Sequence, residues 1–261
     1  PFVTAEITEQ TLVRLRQAAI DTHLQWCRRL HDMLTISLKS APGAHELLAR
    51  LADLRQQWPT LEQTESTIPP NEAYRQWLRM IRLRLEASRA DSLTEPLSPL
   101  AYTEPADFEA DVGRIVDCLE RDHGLSLDAP ARQWLDLVRT FGLHMTRLDI
   151  RQDARRYEEI LGDIFAALGR LPEKTAYAAL PDADRRRLLI ETMGTTTEIP
   201  EDGLDALTLD TLQLFATLQR ASVCFGHACL GGSIISLTRT PADVLAVLWL
   251  WRWAVGRAGA R

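Results

Sequence analysis

Cysteine is scarce in this sequence, with four among 261 residues, at Cys27, Cys118, Cys224 and Cys229. Four cysteines in a chain of this length do not provide the disulfide framework that small secreted proteins need. The sequence also lacks a signal peptide and an apolar run long enough to cross a membrane. These absences predict a reduced, cytoplasmic protein without a membrane partner.

Positive charge is in deficit, because 36 acidic residues outnumber 30 basic ones and leave a formal net charge of −6. A nucleic-acid-binding protein needs a basic surface to neutralise phosphates, so the composition argues against a nucleic-acid partner. Lysine is almost absent, with only Lys39 and Lys174. We attribute the excess of arginine to coding bias, and we expect the arginines of a predicted helix at 71–90 to form a solvated face.

Signatures of covalent and zinc chemistry are missing as well. The sequence has no Gly-x-Ser-x-Gly elbow, and Ser236 lies in a glycine-flanked stretch that favours packing over nucleophilic attack. Cys224, His227 and Cys229 come nearest to a zinc site, but their spacing does not match a zinc finger and a fourth ligand is not evident. We therefore predict no metal bound by this chain, with zinc at these three residues as the alternative.

Helical periodicity extends over most of the chain. The hydrophobic fraction of 46% and the charged fraction of 25% are typical of a globular protein. Apolar residues recur at helical spacing behind capping residues or prolines, such as Asp153 and Pro241. The predicted helices are 4–39, 44–57, 71–90, 107–122, 130–140, 153–168, 182–193, 207–223 and 242–254. The predicted fold is mostly α, with a helical scaffold over residues 1–132.

One stretch departs from helical spacing. Uncharged and charged side chains alternate there, in the order Thr146, Arg147, Leu148, Asp149, Ile150 and Arg151. Alternation places the two kinds on opposite faces of a strand, which we predict at 143–152. Unpaired charges are costly to bury, so this strand suits a barrel, with helices on its apolar face and a polar site on the other. A second strand is predicted at 233–238, and residues 133–261 are expected to form part of an α/β barrel.

Three segments carry a resemblance to a known family. Residues 141–142 and 147–152 read Phe-Gly and Arg-Leu-Asp-Ile-Arg-Gln, and residues 240–247, after Ile-Ser-Leu, read Thr-Pro-Ala-Asp-Val-Leu-Ala-Val. These resemble two segments of phosphoenolpyruvate carboxylase. One reads Phe-Gly and then Arg-Ile-Asp-Ile-Arg-Gln, and the other reads Ile-Ser-Met and then Thr or Ala followed by Pro-Ser-Asp-Val-Leu-Ala-Val. The opening residues 1–8 resemble the residues that come after the Gly-Asp-Arg-Asp-Gly-Asn segment of that family. The matches cover nearly the whole chain but only a middle portion of the family's protein.

The resemblance implies a carboxy-lyase that adds bicarbonate to phosphoenolpyruvate and yields oxaloacetate and phosphate. It implies that Arg151 binds phosphoenolpyruvate, with Arg147 and Asp149 as its support. A structural ion network lining the barrel is the alternative role for these three residues. Just beyond them, residues 153–154 and 156–157 read Asp-Ala and Arg-Tyr where the family tends to have Glu-Ser and Arg-His, so any role of that hydroxyl or imidazole is lost.

Other features implied by the resemblance have no counterpart in this sequence. These are the family's histidine in Thr-Ala-His-Pro, its mobile Gly-Arg-Gly-Gly loop and its metal-binding carboxylates. We therefore expect a middle fragment that has no catalytic residue, binds no metal and is inactive alone, and the initial Pro1 agrees with this. The resemblance implies Mg²⁺ or Mn²⁺ and a homotetramer for the whole enzyme. The alternative is a non-catalytic helical scaffold with a partner surface at Trp249, Trp251 and Trp253.

Overall fold

The computed structural model describes residues 4–61, 68–124, 129–193 and 198–259. Within these ranges the protein is mostly helical, as predicted. Its helices and strands are α1 Ala5–Met33, α2 His45–Gln57, α3 Ala73–Ala87, α4 Pro105–His123, α5 Pro130–Phe141, β1 Leu148–Asp153, α6 Ala154–Ala167, α7 Ala176–Ala179, α8 Asp182–Thr192, α9 Ala206–Phe225, β2 Leu230–Ser236 and α10 Pro241–Gly259.

Capping side chains mark the start of two helices. The Oγ1 of Thr4 accepts a hydrogen bond from the Ile7 amide at 3.3 Å in front of α1. Asp153 was predicted to cap α6, and its Oδ1 accepts a hydrogen bond from the Arg155 amide at 2.9 Å. The other end of α1 was predicted too late, because the helix stops at Met33 rather than near residue 39.

Contacts group the chain into two compact units. One comprises residues 13–146 and 224–228, and the other comprises residues 1–12, 147–223 and 229–261. Each unit draws on segments that are separate in the sequence. The division into regions 1–132 and 133–261 follows sequence order instead, and it stays a prediction.

A buried ion network lies in the unit of residues 13–146 and 224–228. Arg84 of α3 was expected on a solvated face, but it is only 6% exposed. Its Nη1 lies 2.7 Å from Oδ2 of Asp111 on α4, and the Tyr102 hydroxyl donates to the same oxygen at 2.7 Å. The Cζ of Arg84 lies 3.8 Å from the centroid of the Tyr102 ring. These partners offset the cost of removing the guanidinium from water.

The second unit buries the tryptophans of α10. Trp249 and Trp253 are 3% and 7% exposed, and Trp251 is half-buried. The Trp249 ring lies 5.4 Å from that of Phe165 on α6, centroid to centroid. Trp249 and Trp253 therefore lie in the core and Trp251 packs against it, so the three tryptophans do not form the exposed partner surface that the scaffold alternative expected. Across the described ranges, no helix has both the length and the apolarity that a membrane span requires.

The two strands form a parallel sheet in this second unit. The strand predicted over 143–152 begins only at Leu148, since Gly142 and Met145 both have positive φ angles, of 52° and 56°. Such angles belong to turns rather than strands. The strand predicted over 233–238 begins earlier, at Leu230, and ends at Ser236. The described residues thus form a strand pair rather than a closed barrel.

Candidate anion-binding site on β1

The charged residues of β1 lie on one exposed face. Leu148 and Ile150 are half-buried, whereas Asp149 and Arg151 are exposed. This is the predicted alternation, because successive strand residues point to opposite faces. Arg147, the third residue predicted for this site, is exposed and lies one residue before the strand begins.

Asp149 and Arg151 form an ion pair on this face. The Nη2 of Arg151 lies 3.4 Å from Oδ2 of Asp149, and the side chains of Arg151 and Asp149 are 74% and 40% exposed. An ion pair so open to water contributes only about 0–1 kcal/mol to stability. Most of the Arg151 fork therefore stays accessible, and a guanidinium can donate two parallel hydrogen bonds to a phosphate or carboxylate.

The Asp149 carboxylate also contacts the backbone of β2. The register of the two strands shifts between Leu148 and Ile150, so that Asp149 lies opposite Gly231 and Gly232. The Gly232 amide donates a hydrogen bond to Oδ1 of Asp149 at 3.1 Å. The carboxylate therefore has one oxygen toward β2 and the other toward Arg151.

Residues 153–157, which include the departures from the resembled motif, have structural contacts here. Asp153 caps α6 through its carboxylate. The Nη1 of Arg156 lies 2.9 Å from Oε2 of Glu159 on the same helix. Tyr157 is 2% exposed and belongs to the core of its unit. Its contribution is therefore to packing.

The predicted alternative of a zinc site finds no support in the contacts of its residues. No group of three or more His, Cys, Asp or Glu side chains that could hold a metal ion occurs in the described ranges. The Cys224 thiol donates to the Leu93 carbonyl oxygen at 3.5 Å, and the Cys229 thiol donates to the Ala221 carbonyl oxygen at 3.7 Å. Ser236, the other residue considered for chemistry, donates its hydroxyl to the backbone oxygen of Gln152 at 3.4 Å across the strand pair.

Two buried histidines contact backbone carbonyls near the turn before β1 and near the end of α9. The Nε2 of His23 lies 2.7 Å from the Gly142 oxygen, and the Trp134 indole donates to its Nδ1 at 3.2 Å. The Nε2 of His144 lies 3.2 Å from the Phe225 oxygen. Burial lowers the pKa of each histidine from 6.5 to about 4. Both are therefore neutral, with the proton on Nε2, and His144 was not singled out by the sequence.

These histidines predict a loss of stability in acid. Their pKa values are lower in the folded protein than in the unfolded chain, so the unfolded chain binds more protons below pH 6.5 and stability falls as the pH approaches 4. Each histidine is expected to lower the free energy of unfolding by about 2 kcal/mol between pH 7.5 and pH 5. Urea unfolding of the parent protein and of His23→Gln at both values tests this. Glutamine can donate and accept the same hydrogen bonds, so it should reduce the pH dependence. Equal pH dependence in the two proteins would contradict it.

The fold and the site together define a mostly helical segment in which a parallel strand pair carries an exposed arginine, Arg151, on one face. A sequence model of phosphoenolpyruvate carboxylase matches residues 1–260 of this chain. The chain therefore belongs to the phosphoenolpyruvate carboxylase family.

Individual relatives agree with this assignment. The phosphoenolpyruvate carboxylase of Gloeobacter violaceus is 29% identical over 96% of this chain and 28% of its own length. That of Corynebacterium diphtheriae is 27% identical over 94% of this chain and 28% of its own length. That of Caulobacter vibrioides is 28% identical over 100% of this chain and 29% of its own length. The chain thus spans less than a third of the relatives that it matches.

Proposed function

We propose that the polypeptide containing this chain adds bicarbonate to phosphoenolpyruvate, giving oxaloacetate and phosphate. The observation that carries the proposal is the accessible Arg151 fork on β1, in a chain that matches the family over residues 1–260. The relatives are named for the same activity. This chain contributes substrate recognition in the proposal, and the residues that carry out the chemistry lie elsewhere in the polypeptide.

Arg151 is proposed to bind the phosphate or the carboxylate of phosphoenolpyruvate. A guanidinium stays charged at any relevant pH and matches the geometry of both groups. Asp149 supports it through the ion pair on the same strand face. Arg147 is proposed to add positive charge at the start of that face, which favours an anionic substrate.

We also propose that β1 and β2 are neighbouring strands of an α/β barrel. Their parallel pairing supports this, and so do the contacts of α6 with β1 and of α10 with β2. Ile235 of β2 packs against the core of these helices, while Asp149 and Arg151 remain on the exposed face. Helices on one face of a strand and a polar site on the other are the arrangement of such barrels.

Metal chemistry belongs to other parts of the polypeptide in this proposal. The described residues hold no cluster that fits Mg²⁺ or Mn²⁺, so no step is assigned to a metal here. The family resemblance implies one of these ions for the whole enzyme, and we expect its ligands outside this chain. We propose in addition that the whole enzyme is a cytoplasmic homo-oligomer, a homotetramer by the same resemblance.

The 261-residue chain alone is expected to make no oxaloacetate. It supplies Arg151 but not the metal site or the catalytic groups that the proposal assigns to the rest of the polypeptide. The measurement is oxaloacetate formation from phosphoenolpyruvate, bicarbonate and Mg²⁺, with the polypeptide that contains the chain as the positive control. Turnover by the chain alone above the protein-free background would contradict the expectation.

A scaffold function is the second candidate, and one observation favours it. Val244, Leu248 and Val255 of α10 are 56%, 45% and 41% exposed, and their spacing places them on one side of the helix. An exposed apolar stripe of this kind is suited to contact with another protein surface. In that case the polypeptide would not turn over phosphoenolpyruvate, and Arg151→Ala would change stability at most.

A further inference from the structure

We propose that Gly231 is a positioning residue for Arg151 and acts through the carboxylate of Asp149. The consequence for catalysis rests on the proposed function, whereas the positioning itself concerns only contacts within the strand pair. The positioning depends on the absence of a side chain at position 231.

The register of the sheet places Asp149 in a bulge. Leu148 pairs with Leu230, and Ile150 pairs with Ser233. One residue of β1, Asp149, therefore lies opposite two residues of β2, which are Gly231 and Gly232. Bulges turn a side chain away from its regular direction and are frequent next to active sites. Here the bulge brings the Asp149 side chain over the backbone of β2.

A side chain at position 231 cannot coexist with this carboxylate position. A Cβ built on Gly231 would lie 2.3 Å from Oδ1 of Asp149 and 3.3 Å from its amide nitrogen. A carbon and an oxygen that are not covalently linked do not approach this closely, so one of them must move. The nearest atom belongs to the end of the Asp149 side chain, so the carboxylate would have to move while the strands could stay paired. Glycine at position 231 is therefore needed for this position of the Asp149 carboxylate but not for the pairing of the strands.

The carboxylate connects β2 to Arg151. Its Oδ1 accepts the amide hydrogen of Gly232 at 3.1 Å, and its Oδ2 lies 3.4 Å from Nη2 of Arg151. The sequence of β2, Leu-Gly-Gly-Ser-Ile-Ile-Ser, contains no charged residue. Its backbone nevertheless restrains the direction of the arginine on the neighbouring strand, because Asp149 bridges the two.

Chemical modification of Arg151 tests the positioning directly. Phenylglyoxal reacts with accessible guanidinium groups, and peptide mass spectrometry gives the rate at Arg151 in the polypeptide that contains this chain. Gly231→Ala is expected to change this rate at least about threefold, because the restraint from Asp149 is lost. Gly232→Ala is the matched comparison, since a Cβ there meets no atom within 4 Å and the amide is kept. Equal rates at Arg151 in the parent, Gly231→Ala and Gly232→Ala would overturn the inference.

A double mutant separates the proposed route from a general disturbance of the sheet. In an Asp149→Ala background, Gly231→Ala should leave the Arg151 rate unchanged, because the atom that it displaces is absent. The same large effect of Gly231→Ala with and without Asp149 would overturn the inference.

Kinetics then shows whether the positioning matters for the proposed reaction. Gly231→Ala is expected to raise KM for phosphoenolpyruvate about threefold, with a smaller change in kcat. If Arg151→Ala leaves turnover and KM unchanged, the proposed function fails, whatever the rates of Arg151 modification in the parent, Gly231→Ala and Gly232→Ala proteins are. If Arg151→Ala impairs turnover but Gly231→Ala leaves both the modification rate and KM unchanged, only the positioning role fails.

Discussion

Arg151→Ala in the polypeptide that contains this chain is expected to lower kcat/KM for phosphoenolpyruvate at least about 100-fold. In the proposed site, this variant lacks the charged guanidinium that would donate two hydrogen bonds to the substrate. Arg151→Lys should recover only part of the loss, because lysine keeps the charge but not the planar fork. Steady-state kinetics with varied phosphoenolpyruvate gives both values.

The exposure of the side chains suggests two controls for this result, one for stability and one for general charge. Arg151 is 74% exposed and pairs with a partly exposed carboxylate, so its removal should shift the melting temperature by no more than about 2 °C. Arg155 is the matched control, because it is also an exposed arginine close to the end of β1. Replacement of Arg155 by alanine should leave kcat/KM within about twofold. Equal losses in the two variants would show that Arg151 acts only through general positive charge.

Asp111→Ala is expected to destabilise the protein by about 3–5 kcal/mol. The substitution leaves the Arg84 guanidinium and the Tyr102 hydroxyl buried without the oxygen that both contact at 2.7 Å. Asp111 itself is 8% exposed, so water cannot easily replace the lost carboxylate. Asp111→Asn should be less damaging, because it keeps an oxygen for one of the two donors.

Urea unfolding measures this effect. Asp117→Ala is the control, since Asp117 lies on the same helix, α4, but is exposed. Its free energy of unfolding should stay within about 0.5 kcal/mol of the parent protein. A loss of less than about 1 kcal/mol in Asp111→Ala would mean that the network contributes little beyond its own desolvation cost.

The local patterns of the sequence predicted the local structure well. Apolar spacing located most helices to within a few residues, and Asp153 caps α6 as expected. The alternation from Leu148 to Arg151 appears in the exposure of those residues. These features depend on neighbours three or four residues away at most, and for that reason they can be read along the chain.

Features that depend on distant partners were missed. The end of α1 was predicted too late, and Leu38 instead donates its amide to the Asn71 oxygen at 2.9 Å. Arg84 was expected in solvent, because only the fold brings Asp111 and Tyr102 to it. The bulge at Asp149 could not be predicted either, since the register depends on how β2 pairs.

The candidate site was therefore predicted in part. The sequence predicted that Asp149 and Arg151 lie on one strand face, and Arg151 was selected through the family resemblance. Neither source pointed to Gly231, although Gly-Gly at the start of a strand is a signal for close approach of another group. The sequence alone does not show which group approaches these glycines, because that depends on how the two strands pair.

The most direct test of substrate binding at Arg151 is its protection from phenylglyoxal by phosphoenolpyruvate. The rate of modification at Arg151 is measured by peptide mass spectrometry in the polypeptide that contains this chain, with and without the substrate. At a concentration about 10-fold above its dissociation constant, phosphoenolpyruvate is expected to slow the reaction at Arg151 about 10-fold and to leave that at Arg155 unchanged. The same rate at Arg151 with and without saturating phosphoenolpyruvate would contradict the proposed binding site.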